Sequence, residues 1–95
     1  MRTQVVYKIT YPNGKIYVGS DVTGTVTYFG SVNDELVAAD HTPEQLRDFT
    51  VRKQVLWESP TAEPTEVRAR ERQYIETLQS NNPDIGYNRT PKFQG

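Results

Sequence analysis

The side chains in this sequence that could do chemistry are oxygen acids and the cations around them. There is no cysteine and a single histidine, His41. Thiolate catalysis, disulfides and Cys- or His-rich metal sites are therefore excluded. Two of the six tyrosines, Tyr7 and Tyr17, flank Pro12-Asn13-Gly14. A phenol has a pKa of about 10 and passes a proton near neutrality only beside a cation that lowers that value. Glu71 is the third group of interest. It falls four residues after Val67 and three before Tyr74, on the apolar stripe Val67, Tyr74, Ile75, Leu78 of a helix. An unpaired buried carboxylate is expensive. Glu71 is therefore either a stripe-edge residue that reaches solvent or pairs with an arginine, or a metal ligand or acid/base group at the floor of a cleft. The tyrosines also have two readings: cross-strand aromatic packing, or two active-site hydroxyls.

Which reading holds depends on the elements that carry these residues. The segment VVYKITYPNGKIYVGS, residues 5–20, reads as a β-hairpin. A two-residue Asn-Gly turn would pair Tyr7 with Ser20 and Tyr17 with Thr10, placing the tyrosines on opposite faces. Pro12 favours a type I turn followed by Gly14 in a left-handed bulge. That register pairs Tyr7 with Gly19 and Tyr17 with Ile9, so both tyrosines share a face and Gly19 leaves room beside Tyr7. Residues 21–30 read as a loop with an extended piece. Ser31 can cap a short helix through about Ala39, and Thr42-Pro43-Glu44-Gln45 starts a second over Pro43–Asp48 with a capping box. From Phe49 to Trp57 the pattern alternates, which predicts a third strand with Phe49, Val51, Val55 and Trp57 on one face. A longer helix runs from about Pro64 to Ser80, stopped by Asn81-Asn82-Pro83.

A chain of 95 residues makes one small domain, 1–95, whose last residues, 90–95, read as a flexible tail. No run approaches the roughly 18 apolar residues of a membrane span. The N-terminal MRTQVVYKIT lacks the apolar core of a signal peptide, so the expected location is the cytoplasm. The net charge of −1 argues against strong nonspecific DNA binding.

The order of motifs is informative. VYK at 6–8, YVG at 17–19, a helix with ERQYI at 71–75 and then GYN at 86–88 resembles the GIY-YIG nuclease family. The resemblance runs from Val5 to about Arg89, and TYFGS at 27–31 and FTVRKQVLWES at 49–59 look like its small bacterial and phage members. It implies an α+β fold, a three-stranded antiparallel sheet flanked by helices with an N-terminal β-hairpin. It also implies hydrolysis of a DNA phosphodiester with one divalent metal, Mg²⁺ or Mn²⁺. Tyr7 and Tyr17 would be the active-site tyrosines, Glu71 the metal ligand and Asn88 a supporting polar residue. Many domains of this kind depend on a separate DNA-binding domain, for which this chain is too short, so it would act alone, weakly, or with a DNA-binding partner protein.

Two positions depart from the family pattern. The first motif is Val6-Tyr7-Lys8, and residues 21–40 contain neither Arg nor Lys where the family carries a helix arginine. A transition-state cation would then come from Arg52 or Lys53, from Arg47, or from Lys8; each reads equally as a solvated surface charge. His41 reads as an exposed loop residue or as a group at the cleft rim. Arg68 and Arg72 share one side of the long helix, either as a solvated, ion-paired face or as phosphate contacts together with Arg89 and Lys92. The missing helix arginine leaves a second function open, a catalytically weakened scaffold that binds nucleic acid or protein.

Overall fold

A computed structural model describes residues 3–21 and 34–94. The hairpin forms as β1, Gln4–Thr10, and β2, Ile16–Asp21. Gly14 takes φ 88°, a left-handed conformation that costs glycine little. Its N–H bonds the Tyr11 carbonyl, and Tyr11 N–H bonds the Lys15 carbonyl, at 2.8 and 2.9 Å. This is the three-residue turn, and its register pairs Tyr7 with Gly19 and Ile9 with Tyr17. β3, Arg52–Ser59, pairs antiparallel with the other side of β1, giving the order β2-β1-β3.

Helix α1 is Asp34–Ala39 and α2 is Pro43–Arg47. The capping box of α2 is present in both directions, Thr42 Oγ1 accepting from Gln45 N–H and Gln45 Oε1 from Thr42 N–H. Helix α3, Pro64–Leu78, ends on Gln79 in the left-handed region, before the Asn-Asn-Pro expected to stop it. The expected loop over 22–30 and the Ser31 cap lie outside the described residues.

The sheet divides two apolar clusters by strand parity. Val5, Tyr7 and Ile9 face Tyr11, Val37 of α1 and Tyr87, with Tyr17 and Val51 at the margin. Val6 and Val18 face Ala62, Val67 and Ile75, so α3 covers the opposite face. Val6, Val18 and Val67 are almost wholly buried, each contributing about 1.5–3 kcal/mol.

β3 corrects one expectation. The pattern predicts Val55 and Trp57 on one face, but Val55 pairs with Tyr7 while Trp57 pairs with Val6. Leu56 is the extra residue of a β-bulge, and a bulge reverses the alternation beyond it. Trp57 accordingly packs with the α3 cluster, and the Tyr74 hydroxyl donates to the Leu56 carbonyl at 3.2 Å. The strand also begins at Arg52, later than Phe49.

Gly19 leaves the space that the register requires. A Cβ placed there would stand 2.6 Å from the Tyr7 hydroxyl oxygen and 3.1 Å from Cε2 of Tyr17. Tyr7 is fully buried, so its ring has nowhere to go. Gly19→Ala is expected to destabilise the fold by about 1–3 kcal/mol, measured by urea unfolding.

Candidate active site

Tyr7 and Tyr17 sit on one face of the hairpin, as the turn dictates. Tyr7 is 0 % exposed, whereas Tyr17 is half-buried and open to solvent in part. Lys53 stands on the same face, its Nζ 4.5 Å from the centre of the Tyr7 ring. Strand parity places it there, and places its neighbour Arg52, paired with Thr10, on the other face with Lys8. Among the described residues Lys53 alone of the four candidate cations meets a tyrosine, because alternation along β3 turns Arg52 away. Arg47 ends α2 and is exposed. Asp21, unremarked in the sequence, is a buried carboxylate at the end of β2 on the tyrosine face.

Glu71 approaches β2 from the other side. It lies on the apolar stripe of α3, half-buried, and accepts a hydrogen bond from the Ser20 hydroxyl at 2.6 Å. Even-numbered β2 residues face α3, which is why Ser20 meets the helix and Tyr17 does not. The tyrosines and Glu71 are therefore not gathered on one face, as a single cleft requires. They meet at consecutive residues of one strand instead: the Tyr7 hydroxyl lies against Gly19, and the Glu71 carboxylate binds Ser20. Ser20 was missed, although the three-residue turn already places it on the same face as Val18. A hollow of about 250 Å³ beside Glu71 is lined by Arg68, Arg72, Thr90 and Pro91.

Asn88, the expected supporting polar residue, makes its bonds to the backbone of β2. Its Oδ1 accepts from the Val18 N–H and its Nδ2 donates to the Val18 carbonyl, both at 2.8 Å. The amide thus pairs with the outer edge of β2 as a neighbouring strand would. Just before it, Ile16 and Gly86 form a parallel bridge, with Ile16 N–H bonding Ile85 and Tyr87 N–H bonding Ile16. Residues 85–88 form a strap over the edge at Ile16 and Val18 and, among the described residues, stop short of Ser20. Asn88 is a positioning residue for the strand that carries Tyr17 and Ser20.

His41 is corrected more fully. It is buried, not at a rim or exposed in a loop. Its Nδ1 donates to the Val37 carbonyl four residues back, at 2.6 Å, and its ring packs against Phe49 and Tyr11. Beside it, at the hairpin turn, Asp40 receives Lys15 Nζ at 2.7 Å and the Tyr87 hydroxyl at 2.8 Å, while Asn13 Nδ2 donates to both Asp40 and Tyr87. The Lys15 and Tyr87 hydrogen bonds hold the Asp40 carboxyl below its ordinary range. Burial, first of all, pushes the Tyr11 and Tyr87 hydroxyls from 10.0 up to about 12.

The donor set around Glu71 suits a hard cation. Among the described residues no three His, Cys, Asp or Glu side chains cluster into a metal cage. One carboxylate and one hydroxyl oxygen match an ion such as Mg²⁺, which keeps several waters and takes few protein ligands. Compared with protein-family models, with curated proteins and with solved structures, the chain matches none. What the fold and site define is an α+β protein with its polar groups divided across one edge strand. No helix of the described residues is long and apolar enough to cross a membrane.

Two measurements check this geometry. Asn88→Ala removes both bonds to Val18 and is expected to cost about 1–3 kcal/mol, with faster hydrogen exchange at the Val18 amide. The raised phenols set an alkaline limit. A folded-state pKa above the unfolded value stabilises fully below the unfolded value and is lost as pH climbs to the folded one. Stability is thus expected to fall between pH 10.0 and about 12, and Tyr87→Phe to flatten part of that fall in urea unfolding.

Proposed function

We propose that this chain is a metal-dependent DNA endonuclease of the GIY-YIG kind. The observation that carries the reading is the meeting at Gly19 and Ser20. A phenol lies against one residue and a carboxylate is bonded to the next, both on a strand whose edge is free of the strap there. Glu71 and the Ser20 hydroxyl would hold one divalent cation, Mg²⁺ or Mn²⁺. When bound, the ion supplies positive charge to phosphate oxygens and to the charge that builds in the transition state.

The rest is done by the chain itself. Tyr17, the more exposed of the pair, would lose its own proton to solvent and, as the phenolate, take a proton from the attacking water. Tyr7 lines the wall behind it, and Lys53 supplies a cation to the tyrosine face. In place of the helix arginine, Arg68 and Arg72 stand beside Glu71 to contact non-bridging phosphate oxygens. The five carboxylates at 34, 35, 40, 44 and 48 lie away from this hollow in sequence and keep the net charge at −1. Affinity then rests on a few local cations, falls steeply with salt and leaves a role for a DNA-binding partner protein.

One observation favours a second reading, a weakened scaffold that binds nucleic acid or protein without cutting it. Tyr7 is wholly buried and Glu71 comes from the opposite face, so two of the expected catalytic groups do not share a surface. Nicking of supercoiled plasmid decides between the two. With Mg²⁺ or Mn²⁺ the wild type should nick, and Glu71→Gln should lose activity on the order of a thousandfold with stability unchanged or raised. No nicking by pure wild type on supercoiled, linear or branched DNA supports the scaffold.

A further inference from the structure

The hollow beside Glu71 continues along α3. A second one, of about 480 Å³, shares Arg72 and Pro91 with it and runs on past Gln79 to Lys92 and Phe93. Together they make a groove between the outer side of α3 and residues 90–94. The tail is held in place at its start, where Asn81 Nδ2 donates to the Pro91 carbonyl at 2.7 Å.

The lining is specific in kind. Arg68 and Arg72 stand one helical turn apart, about 6 Å along the axis. Among the described residues Arg68 has no ion-pair partner, and Arg72 is shared only with the exposed Glu76, at 3.0 Å. An exposed pair of this sort gives way readily to a stronger anion. Lys92 and the half-buried Phe93 line the second hollow, where Glu76 is the one carboxylate and is paired to Arg72. Spaced cations followed by an aromatic platform recognise an unpaired strand, with phosphates on the cations and a base on the ring. A duplex, whose bases are stacked inside, cannot use Phe93 in this way.

We propose that this groove binds a single-stranded stretch of DNA, running from the Glu71 carboxylate to Phe93. The ligand class is therefore DNA with an unpaired segment. The proposal rests on the nuclease reading in taking DNA as the ligand, and the test separates the two.

A labelled oligothymidine of about ten nucleotides is titrated with the full chain in chelator, where no metal-dependent cleavage can occur, and its anisotropy followed. Wild type should bind it more tightly than a duplex of the same length. Phe93→Ala and Phe93→Leu should each weaken binding about tenfold while Phe93→Tyr retains it, which separates stacking from packing. Lys92→Ala should reduce the salt dependence by the share of about one phosphate contact. No binding of oligothymidine by wild type, equal affinity for the duplex, or unchanged binding in both Phe93→Leu and Lys92→Ala overturns the proposal. Phe93-dependent binding without nicking keeps the groove and sinks the nuclease. Nicking together with any one of those three overturning results does the reverse.

Discussion

Had the hairpin turn held two residues instead of three, Tyr7 and Tyr17 would stand on opposite faces of the sheet. The left-handed Gly14 and the type I turn before it set the pairing, and through it the face on which every β2 side chain falls. Odd residues meet α1 and the aromatic cluster; even residues meet α3. The same parity that unites the tyrosines sends Ser20 to the helix, where it finds Glu71. The need for glycine at position 19 depends on this same register.

The consequence is a site built through a strand. β2 has a phenol against one face and a carboxylate against the other, at the consecutive residues Gly19 and Ser20, and in the proposed chemistry the two meet at its backbone edge. The strap of residues 85–88 settles how much of that edge stays open. It satisfies the outward backbone groups of Ile16 and Val18, which would otherwise attract another chain, and leaves the last part of the strand uncovered among the described residues. Structure and proposed chemistry share the same few atoms here.

Local signals in the sequence carried the local geometry. Pro12 with Gly14 gave the turn, Thr42 with Gln45 gave the α2 cap, and the stripe of α3 placed Glu71 against the sheet. What escaped was non-local. Nothing in residues 49–57 announces that Leu56 is extra, because a bulge is decided by the partner strand and by the fit of Trp57 against α3. His41 looked like a loop residue because its burial comes from Tyr11 and Phe49, which reach it through the tertiary fold. Asn88 was legible as a polar residue near the site, but its bonding to Val18 depends on the path of the chain after α3. The resemblance to the nuclease family named the residues without fixing their faces, and the faces are where expectation and structure part.

The Asn88 clamp also bears on how the chain assembles. Its two bonds join positions 70 residues apart. The hairpin is a local structure that can form within microseconds, whereas closing so long a loop must overcome a larger entropy before any contact rewards it. A growing chain that has reached Leu78 carries all three strands and α3 and still shows the bare backbone edge of β2. The strand bearing Tyr17 and Ser20 is thus synthesised well before the segment that completes its edge. Closure of the edge at Ile16 and Val18 waits for the Gly-Tyr-Asn segment, which follows every strand of the sheet and α3 in the chain.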